Sequence, residues 1–168
     1  MSIHFSNYYP VSPETLFSVF TQQAFFEQRY TETEVDEYTI QHFSETPDGF
    51  DIAIEINPPI HIPAGIPSAA KRLIPKRQKI LYTAVWKKDG ESSWSAEYCY
   101  DVQGKPIKIK GYRQLSARDE GCFNEVRFEV ETSLPLFGKL LADIVEARVE
   151  QELAADERAL EQYIKMNA

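Results

Sequence analysis

Residues 133–168 read SLPLFGKLLADIVEARVEQELAADERALEQYIKMNA and form the longest amphipathic pattern in the chain. Apolar residues recur every three or four positions, as on one stripe of a helix; they are Phe137, Leu140, Leu141, Ile144, Val145, Val149, Leu153, Leu160, Tyr163 and Ile164. The opposite face is acidic and carries Asp143, Glu146, Glu150, Glu157 and Glu161. Ser133 can cap this helix, and Pro135 can occupy its first turn. At the usual rise per residue the helix is about 43 Å long, so its apolar stripe needs a broad partner.

Composition indicates a single globular domain that spans residues 1–168, with 43% hydrophobic and 26% charged residues. The formal net charge of −8 opposes binding to nucleic acid, and we predict no such partner. The chain has no run of 18 apolar residues and no basic-then-apolar N-terminus, so we predict no stable membrane insertion and a cytoplasmic location. Cys99 and Cys122 form no CxxC pair; we predict free thiols, no metal site and no cofactor.

Strand patterns fill most of the chain before the terminal helix. A first alternating run covers residues 3–9, and helix-start patterns follow at Ser12 and Thr21. Six further runs cover residues 35–44, 50–56, 79–88, 92–102, 107–118 and 122–132. Turn residues such as Asp89-Gly90 separate most of them, and short links favour antiparallel neighbours. We predict an α+β fold: a seven-stranded curved antiparallel sheet, two short helices after strand 1 and a long C-terminal helix.

The alternation within the runs also predicts which face of the sheet is buried. Apolar side chains occupy even positions in most strands and odd positions from Ile107 to Leu115, whereas the opposite positions are mostly charged. One face is therefore in water and the other is covered by the helices.

This order of elements resembles the helix-grip fold of the START-related (SRPBCC) superfamily, which includes birch-pollen-allergen-like proteins, polyketide cyclases and lipid-transfer domains. The run KILYTAVW at residues 79–86, after a proline-rich segment, is similar to a bacterial branch of unknown function. The resemblance implies a cavity for an apolar ligand between the sheet and the terminal helix. It implies no catalytic residues.

Polar and aromatic side chains on the predicted inner face are candidate ligand contacts: His42, Tyr82, Trp86, Trp94, Tyr98, Tyr100, Arg113, Asn124 and Phe128. An inward arginine must find a partner, because an unpaired buried charge is costly. Arg113 either receives the anionic group of a ligand, or it reaches solvent or pairs with an internal acid such as Glu146. The aromatic residues either line a pocket or form a packed core.

The segment from Asn57 to Lys79 is long for a link between two strands, and such loops are often functional. We predict that it gates one end of the cavity through Ile62, Ile66, Leu73 and Ile74. Its basic residues, Lys71 to Lys79, either meet an anionic surface or ligand, or are solvated and paired with acids of the chain.

These patterns predict a protein that binds a hydrophobic or amphipathic small molecule, lipid-, sterol- or polyketide-like, between the sheet and the C-terminal helix. One alternative is an enzyme of the cyclase, dehydratase or hydrolase type that acts in the same cavity. Another is a non-catalytic interaction module, for example a homodimer, whose core is filled by its own side chains. A packed core without a pocket would favour that module.

Overall fold

A computed structural model describes residues 2–62, 64–72, 74–133 and 138–166. The predicted helix start at Pro135 and Phe137 of the apolar stripe lie outside this range, as do the gate residue Leu73 and the side chains of Leu141 and Val145. Among the described helices, none is both long and apolar enough to span a membrane.

The described chain contains a seven-stranded antiparallel sheet in the order β1-β7-β6-β5-β4-β3-β2. The strands are β1 (Ser2–Tyr9), β2 (Tyr38–Thr46), β3 (Gly49–Ile56), β4 (Ile80–Gly90), β5 (Ser93–Val102), β6 (Ile107–Arg118) and β7 (Gly121–Thr132). Strands β2 to β7 form a meander, and β1 pairs with β7, so β1 and β2 are the two edges. The helices are α1 (Pro13–Phe20), α2 (Gln23–Glu32), α3 (Ser68–Lys71) and α4 (Gly138–Met166). The predicted α+β helix-grip fold is confirmed.

The predicted inner face is also confirmed in most strands. Even positions are buried in β3, β4, β5 and β7, and odd positions are buried in β6. Gly111 interrupts the β6 series, and the ring of Tyr98 from β5 occupies the space beside it: a Cβ on Gly111 would lie 2.0 Å from that ring. Glycine at this position therefore makes room for an aromatic ring.

The prediction that His42 faces inward is wrong. The register of β2 against β3 shifts between Ile40 and His42, which is the signature of a β-bulge. The extra residue brings Phe43 into contact with the core, and His42 is exposed, with its Nε2 atom 2.9 Å from Ser44 Oγ. The predicted alternation of Tyr38, Ile40 and His42 therefore ends at the bulge.

The hairpin between β4 and β5 also differs from prediction. Strand β4 continues through Gly90, and the turn is at residues 91–92 instead of Asp89-Gly90. The register shifts between Lys88 and Gly90, so Asp89 lies in a bulge and its carboxylate accepts a hydrogen bond from Ser95. The Asp-Gly pair therefore belongs to the bulged end of β4 and does not form the turn.

Helix α2 packs against the C-terminal half of α4, whereas α1 contacts β5, β6 and β7. Helix α1 begins at the predicted cap, where Ser12 Oγ accepts a hydrogen bond from the Thr15 amide. Helix α2 begins one residue later than predicted, at Gln23, and its N-cap residue Gln22 makes no side-chain cap. It contacts α4 through polar pairs along its own C-terminal half; the exposed pairs are Gln28–Gln162 and Arg158–Glu32.

The segment between β3 and β4 folds back on itself. Its two ends pair at Pro59 and Arg77, and the Ile60 amide donates to the Lys76 carbonyl. The Arg77 guanidinium donates two 2.9 Å hydrogen bonds to the Asp36 carboxylate, which hold the pKa of that carboxyl below its usual value. Of the described gate residues, Ile62 is exposed, Ile66 is half-buried and Ile74 is buried.

Candidate functional site

The space between the sheet and the C-terminal half of α4 is almost filled by side chains. The remaining internal cavity is about 20 Å³, which is room for one water-sized particle. A lipid-sized ligand therefore does not fit there without movement of α4. The predicted ligand residues that line this cavity are Tyr82, Trp86, Tyr98, Tyr100 and Arg113.

The other predicted ligand residues lie elsewhere. Phe128 is packed in the core, and Trp94 stacks on Phe17 of α1 with ring centroids 3.6 Å apart. Asn124 is buried beside the edge strand, opposite Asn7. His42 is on the solvent side of β2. The structure thus brings only part of the predicted set together.

A buried ion cluster occupies the place predicted for a ligand head group. Arg29 of α2 donates through Nε and Nη2 to the Asp156 carboxylate of α4, at 2.5 and 2.8 Å. Arg113 of β6 donates through Nη2 to the same carboxylate at 3.2 Å. Arg113 therefore pairs with an internal acid, as one of the two interpretations predicted, although the acid is Asp156 and not Glu146.

Aromatic faces cover both guanidinium groups. The Arg29 carbon Cζ lies 4.7 Å from the ring centroid of Phe26, and that of Arg113 lies 4.1 Å from the centroid of Phe20. Cation–π contacts of this kind stabilise a desolvated cation. Burial by itself lowers the pKa of the Arg29 guanidinium, but the Asp156 carboxylate and nearby groups raise it, and the net pKa lies well above its usual value, so the group stays charged.

A second buried cluster lies one helical turn towards the N-terminus of α4. Tyr100 donates its hydroxyl to Glu152 Oε2 at 2.6 Å. Arg148 lies 3.4 Å from the other Glu152 oxygen and donates through Nη1 to the Thr33 carbonyl at 2.9 Å. The two clusters join the sheet, α2 and α4 through charged hydrogen bonds, which are stronger than neutral ones.

The buried tyrosines are poorly suited to act as bases. Burial raises the pKa values of Tyr82, Tyr98 and Tyr100 above their usual value. A general base works best with a pKa near the operating pH, so these hydroxyls are poorly suited to proton abstraction at neutral pH.

A second cavity, about 90 Å³, lies between the segment 57–79 and the N-terminal half of α4. Its apolar wall is formed by Pro58, Pro59, Ile60, Ile80, Ile144 and Ala147, and its polar lining residues are His61, Gln78, Arg148 and Gln151. Because His61, Ala147 and Gln151 are exposed, the cavity opens at the surface. Of the lining residues that the structure describes, Arg148 alone carries a fixed charge. Among the described residues, no hydrogen-bond partner reaches Arg148 Nη2, although that atom is buried.

A larger concavity, about 710 Å³, lies on the outer face of the sheet across β1, β7, β6, β5 and β4. Charged side chains of both signs surround it, including Lys110, Arg127 and Glu129. Its lining includes the exposed Val85 and Tyr112. This is the solvated face predicted from the sequence, and two isolated exposed apolar residues are ordinary on such a surface.

Sequence reasoning missed Arg29, Arg148, Glu152 and Asp156. Their spacing contained the necessary information: Glu152 and Asp156 recur with Val149, Leu153 and Leu160 at intervals of three and four on the buried stripe of α4. Neither carboxylate belongs to the acidic outer face. Charged residues at helix-core spacing predict buried ion pairs when a partner such as Arg29 has the same placement on a facing helix.

Comparisons with known proteins agree with this fold. Solved structures that are similar to the chain include a START superfamily protein from Mycobacterium smegmatis, at 15% identity and a TM-score of 0.58, with 96% of this chain and 98% of that chain covered. A STAR-related lipid transfer protein from Xanthomonas axonopodis is similar at 11% identity and a TM-score of 0.55, with 93% and 85% covered. A norcoclaurine synthase from Thalictrum is similar at 10% identity and a TM-score of 0.58, with 97% and 96% covered.

At these identities the likeness concerns the fold alone, and the predicted resemblance to START-related structures is confirmed at that level. No curated protein matches the sequence. The profile of one family matches residues 4–164, nearly the whole chain. The chain therefore belongs to the family described as protein of unknown function (DUF2505), and it has the helix-grip fold.

Proposed function

We propose that this protein binds a hydrophobic or amphipathic small molecule in the cavity between the segment 57–79 and the N-terminal half of α4. The observation that carries the proposal is the combination of an apolar wall with Arg148, whose buried Nη2 atom has no hydrogen-bond partner among the described residues. A buried donor without a partner costs about 1–3 kcal/mol, so such a group calls for an acceptor. A carboxylate or other acceptor on the ligand meets that need.

The size of the cavity limits the ligand. Pockets for drug-sized molecules are about 300–1,000 Å³, and this one is about 90 Å³. It therefore accepts a small amphipathic acid, or the end of a longer chain whose remainder extends through the open mouth. Outward movement of the segment 57–79 enlarges it, in keeping with the predicted gate.

The placement of the proposed site differs from the predicted one. The predicted residues around Arg113 surround only about 20 Å³ and take part in the core. The proposed site uses the same long helix one to three turns earlier, at Ile144, Ala147 and Arg148. One structural neighbour is a STAR-related lipid transfer protein, which is compatible with such binding, but the similarity is one of fold.

The interaction module is a second candidate function, because the space under the C-terminal half of α4 is nearly filled. An enzyme has less support: one structural neighbour is a synthase, yet the buried tyrosines of this chain have raised pKa values.

Titration calorimetry with three ligands of equal chain length tests the proposal: octanoate, octanol and octylammonium. We expect octanoate to bind most tightly and octylammonium most weakly, because Arg148 attracts an anion and repels a cation. Equal affinities would show that Arg148 does not recognise the head group. Absence of binding by all three would favour the interaction module.

Two matched variants place the binding site. Ala147 and Ala154 are both exposed, two helical turns apart on α4, and only Ala147 lines the cavity. We expect Ala147→Trp to weaken octanoate binding at least tenfold, since the indole fills the mouth, and Ala154→Trp to change it less than twofold. Equal effects of the two substitutions would count against this site.

A further inference from the structure

The cavity of about 20 Å³ under the C-terminal half of α4 has an unusual wall. Its lining combines aromatic rings with the charged side chains of Arg29, Arg113 and Asp156. The two arginines are 3% and 6% exposed, so the charges are removed from bulk water.

The charges of this wall do not balance. One carboxylate, Asp156, receives hydrogen bonds from both Arg29 and Arg113, which leaves an excess of one positive charge. The other buried carboxylate nearby, Glu152, is engaged by Tyr100 and Arg148. An uncompensated buried charge is strongly destabilising, and a counter-ion offsets that cost.

Three buried polar atoms on side chains that line this cavity are also left without hydrogen-bond partners among the described residues. They are Arg29 Nη1, Arg113 Nε and the Tyr98 hydroxyl oxygen. All belong to side chains that line the same cavity, and Tyr98 is only 8% exposed. All three can donate a hydrogen bond, so the missing species is an acceptor.

We propose that this cavity binds one monatomic anion of the size of chloride, held by Arg29, Arg113 and Tyr98. A water molecule fits the volume, but it leaves the positive charge uncompensated. An organic carboxylate has the charge, but it exceeds the space for one water-sized particle. The site is separate from the cavity at Ala147, so anion binding here does not depend on the proposed function.

Diffraction at the bromine absorption edge tests the site directly, on crystals of the full chain equilibrated with sodium bromide. The expected result is an anomalous peak in contact with Arg29 Nη1, Arg113 Nε and the Tyr98 hydroxyl. Density without an anomalous signal would identify a water molecule and overturn the proposal.

Unfolding by urea at varied chloride concentration tests the site in solution, with gluconate keeping the ionic strength constant. Because gluconate is too large to enter, chloride bound only by the folded state should raise the folding equilibrium constant, up to tenfold for each tenfold increase in chloride above its Kd. A folding constant that does not respond to chloride would overturn the proposal.

Two substitutions connect that response to the cavity. Tyr98→Phe keeps the ring and removes one donor, so we expect chloride affinity to fall several-fold; Tyr112→Phe, at an exposed tyrosine of the outer face, should change nothing. Arg113→Met leaves Arg29 and Asp156 in balance and should abolish the response, and Arg113→Lys should restore part of it. If Arg113→Met does not fold, the comparison of Tyr98→Phe with Tyr112→Phe still tests whether chloride binds in this cavity. A response unchanged in Tyr98→Phe would overturn the role of this cavity.

Discussion

Asp156→Asn tests the role of the buried ion cluster in stability. Asp156 accepts hydrogen bonds from Arg29 and Arg113, and all three side chains are buried. Asparagine keeps the shape of the side chain and one acceptor oxygen, but it removes the negative charge. The substitution therefore removes the carboxylate that both buried guanidinium groups share, and it creates no cavity.

The expected loss of stability follows from these contacts. Removing one partner from a buried ion pair costs about 3–5 kcal/mol. Because asparagine retains part of the hydrogen bonding, we expect the lower end, about 3 kcal/mol. Domains of this size are stable by about 5–15 kcal/mol, so the variant should still fold. With an m-value of about 2 kcal/mol per molar urea, the unfolding midpoint should fall by about 1.5 M.

Urea unfolding monitored by tryptophan fluorescence measures this loss, since Trp86 lines the same cavity. Glu161→Gln is the matched control: it removes a carboxylate from an exposed position of the same helix, and it should change stability by less than about 0.5 kcal/mol. Adding Arg113→Met to Asp156→Asn removes one unpaired cation and should recover part of the loss. A loss below about 1 kcal/mol, or no recovery in the double variant, would show that Asp156 does not stabilise the fold by compensating the two buried arginines.

Two further predictions concern packing and pH. Gly111→Ala places a Cβ 2.0 Å from the Tyr98 ring. We expect the free energy of unfolding in urea to fall by about 2 kcal/mol, and Tyr98→Leu to recover part of that loss. A neutral effect would show that the ring moves freely. Burial, Glu150 and Asp143 raise the pKa of Glu146 above 4.5, so ionised Glu146 lowers stability as pH rises through its folded-state pKa. Glu146→Gln should therefore stabilise the protein by about 0.5 kcal/mol at pH 7 and not at pH 3; equal effects at both pH values would contradict this.

The sheet could be predicted because alternation is a local property of the sequence. Positions such as Ile54, Tyr82 and Ile109 are inward because each strand keeps a period of two over its length. The bulge near His42 could not be predicted, since an extra residue changes the period without any composition signal such as glycine or proline.

The candidate site was less predictable because it depends on pairs that are distant in sequence. Arg29 and Asp156 are 127 residues apart, and neither indicates its partner on its own. The inward placement of Arg113 was predictable from the alternation of β6, and the cost of a buried charge required a partner. Whether that partner was a ligand or an internal acid, and which acid, was not predictable. The amount of space left under α4 depends on how several aromatic rings interlock, and residue types alone do not specify that.

Nuclear Overhauser measurements on methyl-labelled protein with octanoate test most directly where this protein binds a small molecule. We expect contacts between the octanoate chain and the methyl groups of Ile60, Ile80 and Ile144, which line the cavity between the segment 57–79 and α4. Contacts confined to Val85 on the outer face of the sheet, or no contacts at saturating octanoate, would contradict it.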